Sequence, residues 1–424
     1  MPLTARLVHR VNDNLRLQII LAVVIAAALG VFIKLTALGV NAYWPTPAAL
    51  IYAGLFLLAM LLLIMERRFD ALMLLAAAVC LCCGMYARVT MLSFQSSDYI
   101  NCLLPWTKKL GSLPLREALS TPIGDYNLPY LYFLTILSRT SWDELLHIKS
   151  MSCFFDVVLA YLVMRITALE VKDRRLQLAS FLIILISPTV MINSAQWAQC
   201  DSTYVAFCLL AILGAMTGRG RLCAIAWTIA FCFKLQAIFI LPALAVALFM
   251  GQVKPRHLLW IPAVYFASLL PALVCGRSLL SCMNIYGGQL GEYNNMAVFV
   301  ALGAIVIFTM LCLSFSKKLS RAQLFRLFFI SSMLVPYLLP RMHERYFYMA
   351  EMLALIYFMY DRRKWYVPVA LTLTSLAGSI AAMCDDIVFD QLYAAMAYLV
   401  ILAVETRALF KELWHVTPDT IPVE

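Results

Sequence analysis

What most constrains this chain is a series of stretches, each about twenty residues long and almost free of charge, that follow one another nearly from end to end. A helix needs about 20 mostly apolar residues to cross the hydrocarbon core of a bilayer. Stretches of this kind fall at 17–38, 47–65, 71–88, 147–168, 176–193, 200–217, 256–275, 296–315, 322–340, 346–360, 365–383 and 388–404. The stretch 222–250 is too long for one span and short for two. Lys234-Leu235-Gln236 and then Pro242 interrupt it, which predicts two short helices meeting near the outer side. The expectation is an all-α, polytopic membrane protein with about fourteen membrane helices. Composition agrees: 63% of the 424 residues are apolar and 13% charged, where a soluble domain has about half and about a quarter. That balance excludes a cytosolic enzyme, a disordered chain and a secreted disulfide scaffold. Most of the 13 cysteines lie inside apolar runs, as Cys80, Cys82 and Cys83 do, where a thiol behaves as a small hydrophobe. No disulfide and no bound metal is expected.

The 33 basic and 23 acidic residues leave a net charge of +10. In a membrane protein this excess reports topology rather than nucleic acid, because Lys and Arg collect in cytoplasmic loops. Clusters stand at Arg6/Arg10/Arg16, Arg67-Arg68, Lys172/Arg174/Arg175, Arg219/Arg221, Lys254/Arg256, Lys317/Lys318/Arg321, Arg362-Arg363-Lys364 and Arg407/Lys411. All fall on one side if 222–250 is a re-entering pair. The opposite loops 39–46, 194–199 and 384–387 carry no Lys or Arg. Both termini are therefore expected in the cytoplasm, in the inner or plasma membrane. The chain reads as a single integral-membrane domain over 1–424. Residues 1–70 supply a cytoplasmic segment and two leading helices, 71–385 the main body, and 386–424 the last helix and a cytoplasmic tail.

The longest polar segment, 89–146, faces outward and is predicted to carry short interfacial helices at about 113–119 and 127–138. A second outer loop, 276–295, is rich in Gly, Asn and Tyr. Ionisable residues at membrane depth are costly and mark functional candidates. Those of this chain gather toward the outer side: Asp98-Tyr99, Gly124-Asp125-Tyr126, Gln196-Trp197-Ala198-Gln199-Cys200-Asp201, Lys234-x-Gln236 and Arg341-Met342-His343-Glu344-Arg345-Tyr346. Glu351 follows His343 by eight residues, a spacing that returns to one helical face. A carboxylate can take a proton from an attacking hydroxyl, and cations can stabilise a leaving phosphate. Bland roles compete at each position. Asp125 suits a turn, Asp201 a helix N-terminus and Lys234 a snorkelling surface cation. Asp156 and Glu351, inside spans, fit structural hydrogen-bond partners better than catalysts.

In their order, Asp98-Tyr99, Trp197-x-Gln199-x-Asp201, Lys234-x-Gln236 and His343-Glu344-Arg345-Tyr346-Phe347 give the chain a resemblance to the GT-C superfamily of integral-membrane glycosyltransferases. It is most similar to bacterial relatives of the GPI mannosyltransferases, and more distantly to dolichyl-phosphate-glucose glucosyltransferases. The resemblance covers about 70 to 385. It implies inverting, metal-independent transfer of a hexose, mannose being favoured, from a polyprenyl-phosphate sugar to a glycan or lipid acceptor on the outer (periplasmic or extracytoplasmic) face. No cofactor is implied, and the partners are the lipid-linked donor, the acceptor and membrane lipids, with no nucleic acid. The resemblance maps the general base to Asp98. It maps the donor phosphate to Lys234, Gln236, His343, Arg345 and the neighbouring Arg341, and sugar and acceptor contacts to Tyr99, Trp197, Gln199, Asp201 and Tyr126. Two positions depart from the pattern. Ala198 stands where relatives often have Gly, and Ile100 follows Asp98-Tyr99 where distant relatives have Glu, so Asp125 remains a rival base or an acceptor-placing residue. Two other classes compete: a transporter or flippase of lipid-linked sugars, and a polymerase or ligase using polyprenyl-diphosphate glycans.

Overall fold

The computed structural model describes residues 11–12, 14–36, 45–291, 296–340, 342–383 and 390–415. All regular structure among them is helical. In chain order the helices are α1 Leu15–Thr36, α2 Pro45–Met65, α3 Ala71–Thr90, α4 Leu104–Ser112, α5 Leu115–Ser120, α6 Leu128–Leu137, α7 Glu144–Thr167, α8 Arg174–Ile186, α9 Pro188–Met191 and α10 Asp201–Met216. They continue with α11 Gly220–Phe233, α12 Leu241–Phe249, α13 Trp260–Val274, α14 Leu279–Gly291, α15 Met296–Ser314, α16 Arg321–Leu338, α17 Tyr348–Tyr360, α18 Tyr366–Met383 and α19 Gln391–His415.

The chain divides into two compact units, one formed by residues up to Ser112 with Ile136–Thr203, the other by Leu113–Thr135 with the chain from Tyr204 onward. In the first unit α1, α2, α3 and α7 are long and apolar enough to cross a membrane. In the second, α13 and α18 with their leading turns, α15 and α19 meet the same test. These eight described helices become nine if α8 and the following Pro188–Gln196 segment, bent by 43°, form one broken span.

Fourteen passes are thus not found, and the helix lengths say why. The stretch 200–217 folds as a 16-residue helix, and 346–360 contains an α-helix of only 13. The stretch 222–250 is broken into helices of 14 and 9 residues. Helix α16, in 322–340, carries the charge of Arg326 within it. The expected interruption at Lys234 is present: Lys234 is extended (φ −151°, ψ 135°) and ends α11, Leu235–Ile240 form a 3-10 turn, and Pro242 stands in the first turn of α12, where its missing N–H costs nothing. The expected outer-loop helices near 113–119 and 127–138 are α5 and α6.

Burial distinguishes lipid-type helices from packed ones. Helix α1 buries only Ala22, Ala26, Leu29 and Ile33, one narrow stripe of small and aliphatic groups, and leaves Ile20, Val23, Val24 and Val31 exposed. Helix α15 buries Ala301, Phe308 and Cys312 and exposes Phe299, Val300, Val306 and Ile307. A helix apolar all round with one covered stripe suits a hydrocarbon solvent and not water.

Two charged clusters lie buried. Arg88 near the end of α3 meets Asp156 of α7 at 3.0 Å, both 0% exposed. In the second unit Glu405 of α19 receives Arg326 (3.1 Å), Lys364 (2.8 Å), Tyr357 (2.7 Å) and Tyr366 (2.8 Å). A buried carboxylate is tolerable only with this kind of complete pairing.

Candidate functional site

The first unit holds Asp98, Tyr99, Trp197, Gln199 and Asp201, and it joins two loops far apart in sequence. After α3 ends, the chain turns through Met91–Phe94. Lys149 of α7, fully buried, donates to the carbonyls of Met91 (3.0 Å), Leu92 (3.0 Å) and Phe94 (2.6 Å). One ammonium thus holds three carbonyls of the turn that follows α3. The chain then reaches Ser96, whose hydroxyl donates to the Trp197 carbonyl (2.7 Å) and accepts from the Tyr99 N–H (3.2 Å). Asp98 follows at the start of the π-helical turn Tyr99–Leu103 and is partly exposed. Its Oδ2 accepts from Nε2 of Gln199 at 2.6 Å.

The second loop is built as tightly. A π-turn over Ile192–Gln196 closes with the Trp197 N–H on the Ile192 carbonyl (2.7 Å), and the Gln199 N–H bonds the Asn193 carbonyl (2.9 Å). Between them Ala198 has φ +63°, the left-handed region that favours glycine. The departure at position 198 therefore falls at a place where the backbone asks for glycine. Asn193 donates to Asp201 (2.9 Å). Trp197, Gln199 and Asp201 are all buried, as is Tyr99. Burial holds the Tyr99 phenol well above its ordinary range, so it stays a neutral hydroxyl.

Asp156 fastens this loop at both ends. Its Oδ2 accepts from Ser194 (2.6 Å) and its Oδ1 from Ser202 (2.7 Å), while Arg88 bridges the same carboxylate to the Leu185 carbonyl (2.6 Å). The structural role expected of Asp156 has these contacts. Arg88, Lys149, Ser96, Ser194 and Ser202 are not among the residues the sequence motifs mark. The available signal was Lys149 and Asp156, two charges seven residues apart in one apolar span and hence on one helix face.

The second unit holds Asp125, Tyr126, Lys234, Gln236, His343 and Arg345, while Arg341 lies outside the described residues. Asp125 is exposed in a bend after Gly124 (φ +67°). Asn127 accepts from the Leu128 N–H (2.9 Å) at the start of α6. The Lys234 ammonium lies 5.9 Å from the Tyr126 ring centre and 5.8 Å from that of Tyr204, close enough for cation–π attraction. Sequence position suggested a buried Lys234; it is half-buried. The adjoining turn is tied back by Trp227, whose indole N–H donates to the Ala237 carbonyl (2.9 Å). The Gln236 Oε1 is buried without a hydrogen-bond partner among the described residues.

His343 is exposed and sits edge-on to Tyr346 (5.6 Å between ring centres), with Arg345 over the same ring at 5.9 Å. The eight-residue spacing from His343 to Glu351 does not place them on one helical face. His343 is extended (φ −85°, ψ 156°), and a 3-10 turn, Glu344–Phe347, intervenes before α17 begins. Glu351 is buried and accepts from Thr372 at 2.9 Å. Among the described residues no group of three His, Cys, Asp or Glu side chains is placed to hold a metal ion. Comparison with models of known protein families and with curated proteins finds no match.

Proposed function

We propose that the chain is an integral-membrane glycosyltransferase. It moves a hexose, mannose being favoured by the resemblance, from a polyprenyl-phosphate sugar to a glycan or lipid acceptor at the outer membrane face. The observation that carries this reading is the Gln199–Asp98 hydrogen bond. It joins the two motif-bearing loops of the first unit and holds a partly exposed carboxylate in a fixed position, which a general base needs. In the proposed step the acceptor hydroxyl oxygen attacks the anomeric carbon from the face opposite the phosphate. Asp98 takes the hydroxyl proton, the anomeric C–O bond breaks, and the bonding pair leaves on the polyprenyl phosphate. Inversion at the anomeric carbon follows from that single displacement. Lys234, His343 and Arg345 supply positive charge for the leaving phosphate, and Tyr126 and Tyr204 keep Lys234 in place.

The test is transfer itself. Purified full-length protein is incubated with a panel of polyprenyl-phosphate hexoses and crude lipid acceptors. Sugar should pass from one donor to an acceptor, and Lys234→Ala should slow the transfer by on the order of a hundredfold. Absence of transfer from every donor, with movement of lipid-linked sugar across a vesicle membrane instead, would favour the flippase reading.

A further inference from the structure

A cavity of about 310 Å³ opens in the second unit between the segment Pro122–Gly124 and one face of α14, where Ser281, Asn284 and Ile285 stand at helical spacing. Arg277 completes its wall. This arginine is only 8% exposed. Its Nε donates to the Ser281 hydroxyl (3.1 Å) and its Nη2 to the Ser281 carbonyl (3.4 Å). Those bonds fix the plane of the guanidinium, and among the described residues no acid pairs with its charge. Nη1 is buried and has no hydrogen-bond partner among the described residues. A buried guanidinium with an idle donor is expensive unless something anionic meets it. The rest of the wall suits such a guest: the Asn284 side chain and the Ser281 hydroxyl offer further polar contacts, and Asp125, although next to Gly124, is not in the lining.

The position selects the kind of anion. Arg277 comes three residues after the end of the apolar span Pro255–Val274, so it stands at the depth of lipid headgroups. The surroundings are apolar and uncovered: Val274, Leu279 and Leu280 are 76%, 45% and 78% exposed. Pro122, Ile123 and Ile285 line the cavity itself. Cys282, between Ser281 and Asn284 in the chain, is buried with Leu128, Leu269 and Ala272 in a closed apolar core.

We propose that this cavity is a phosphate site, in which Arg277 with Ser281 and Asn284 binds the phosphodiester of an anionic membrane lipid. One guanidinium matches one phosphodiester charge, and its fork geometry suits two phosphate oxygens. The site does not depend on the transferase reading, and a chain inactive in sugar transfer would still hold the lipid.

The experiment uses the full chain in nanodiscs of phosphatidylcholine with a minor fraction of phosphatidylglycerol, followed by native mass spectrometry of the lipids that stay bound. Wild type should retain phosphatidylglycerol selectively. Arg277→Gln should cut that retention about tenfold, the loss expected for one charge-assisted contact. Asn284→Trp keeps the arginine but puts a bulky ring into the cavity and should cut it likewise; it alone decides if Arg277→Gln does not yield a monodisperse protein. In a second arm, lipid-free protein in detergent is dialysed against inorganic phosphate. Arg277-dependent uptake of phosphate without selective retention of phosphatidylglycerol would overturn the lipid assignment. Wild-type retention of phosphatidylglycerol by both variants would overturn the site.

Discussion

Gln199 donates its side-chain amide to the carboxylate of Asp98 at 2.6 Å across 101 positions of sequence. The bond occupies one of the two carboxylate oxygens. If Asp98 is the base, Asp98→Asn should lower transfer by about 10²–10⁴-fold, the usual worth of a general base, with donor binding retained. Asp125→Asn, at an exposed bend, should cost less and act on acceptor affinity. Gln199→Glu sets a second carboxylate against Asp98 and should also suppress turnover. Rates for the three variants with one polyprenyl-phosphate hexose check this. A dead Asp125→Asn beside an active Asp98→Asn would exchange the two roles.

The distribution of basic clusters predicts which side each loop faces. A single cysteine reporter at Ser97 should react with an impermeant thiol reagent added from outside, on a background where other accessible cysteines are removed. A reporter at Arg363 should not. The opposite pattern would place the Asp98 loop in the cytoplasm and remove the need for a lipid-carried donor.

Lys149 should act on Asp98 at a distance, through the three carbonyls of Met91, Leu92 and Phe94 that it holds. Lys149→Met preserves length and apolar packing but withdraws the ammonium from those carbonyls, leaving Met91, among the described residues, with only the Phe94 N–H at 3.3 Å. Hydrogen bonds to a charged group are worth about 1.5–3 kcal/mol each, so the turn from Met91 to Asp98 should loosen locally. Hydrogen exchange should speed up over 91–98 while α7 itself stays protected. Unchanged exchange in that segment would show that Lys149 is only a tolerated buried charge.

Ala198 holds a left-handed conformation at φ +63°, which costs an L-residue about 1–2 kcal/mol. Ala198→Gly removes that strain and should leave the protein at least as resistant to heating in detergent, with the Gln199–Asp98 geometry intact. Ala198→Val adds a β-branched side chain at the same φ in a position that is 1% exposed. It should be clearly destabilised. A glycine variant weaker than wild type would mean that the Ala198 methyl contributes packing greater than the strain.

Much of the helical frame is legible in the sequence because span length and charge are one-dimensional signals. The stretches 17–38 and 71–88 correspond to Leu15–Thr36 and Ala71–Thr90. Lys234 beside Leu235-Gln236 marked a real break in a helix. Pro188 broke a stretch that hydropathy reads as one span, because a proline effect is local and an apolar average hides it. The motif residues could be named in advance, but their partners could not. Nothing in sequence distance suggests that Ser96 bonds to the Trp197 carbonyl. Lys149 and Arg277 carry no signal of their contacts in the sequence for the same reason: each is meaningful only through carbonyls or a cavity that folding brings to it. An α-helical period does not relate His343 to Glu351, because a 3-10 turn lies between them and sequence spacing alone does not reveal it.

The Arg88–Asp156 pair makes the sharpest energetic claim. Asp156 accepts from Ser194 on one side of the Trp197-Gln199 loop and from Ser202 on the other, and it neutralises Arg88. Asp156→Ala removes all three interactions and leaves a guanidinium buried without its counter-ion. Breaking one side of a buried ion pair costs about 3–5 kcal/mol, a large part of the stability of an ordinary domain. The single variant should therefore be poorly recovered from the membrane. Replacing both partners, as in Arg88→Met with Asp156→Leu, removes the stranded charge and should restore much of the yield, since an apolar pair of similar volume can stand in for buried ions. It does not restore the bonds to Ser194 and Ser202. The double variant should thus be folded yet show faster hydrogen exchange over 194–202 and weaker sugar transfer, if transfer is the activity. Recovery of stability with an unaltered loop would show that Asp156 serves Arg88 alone. Failure of the double variant to recover would show that the serine bonds, rather than the ion pair, dominate at this position.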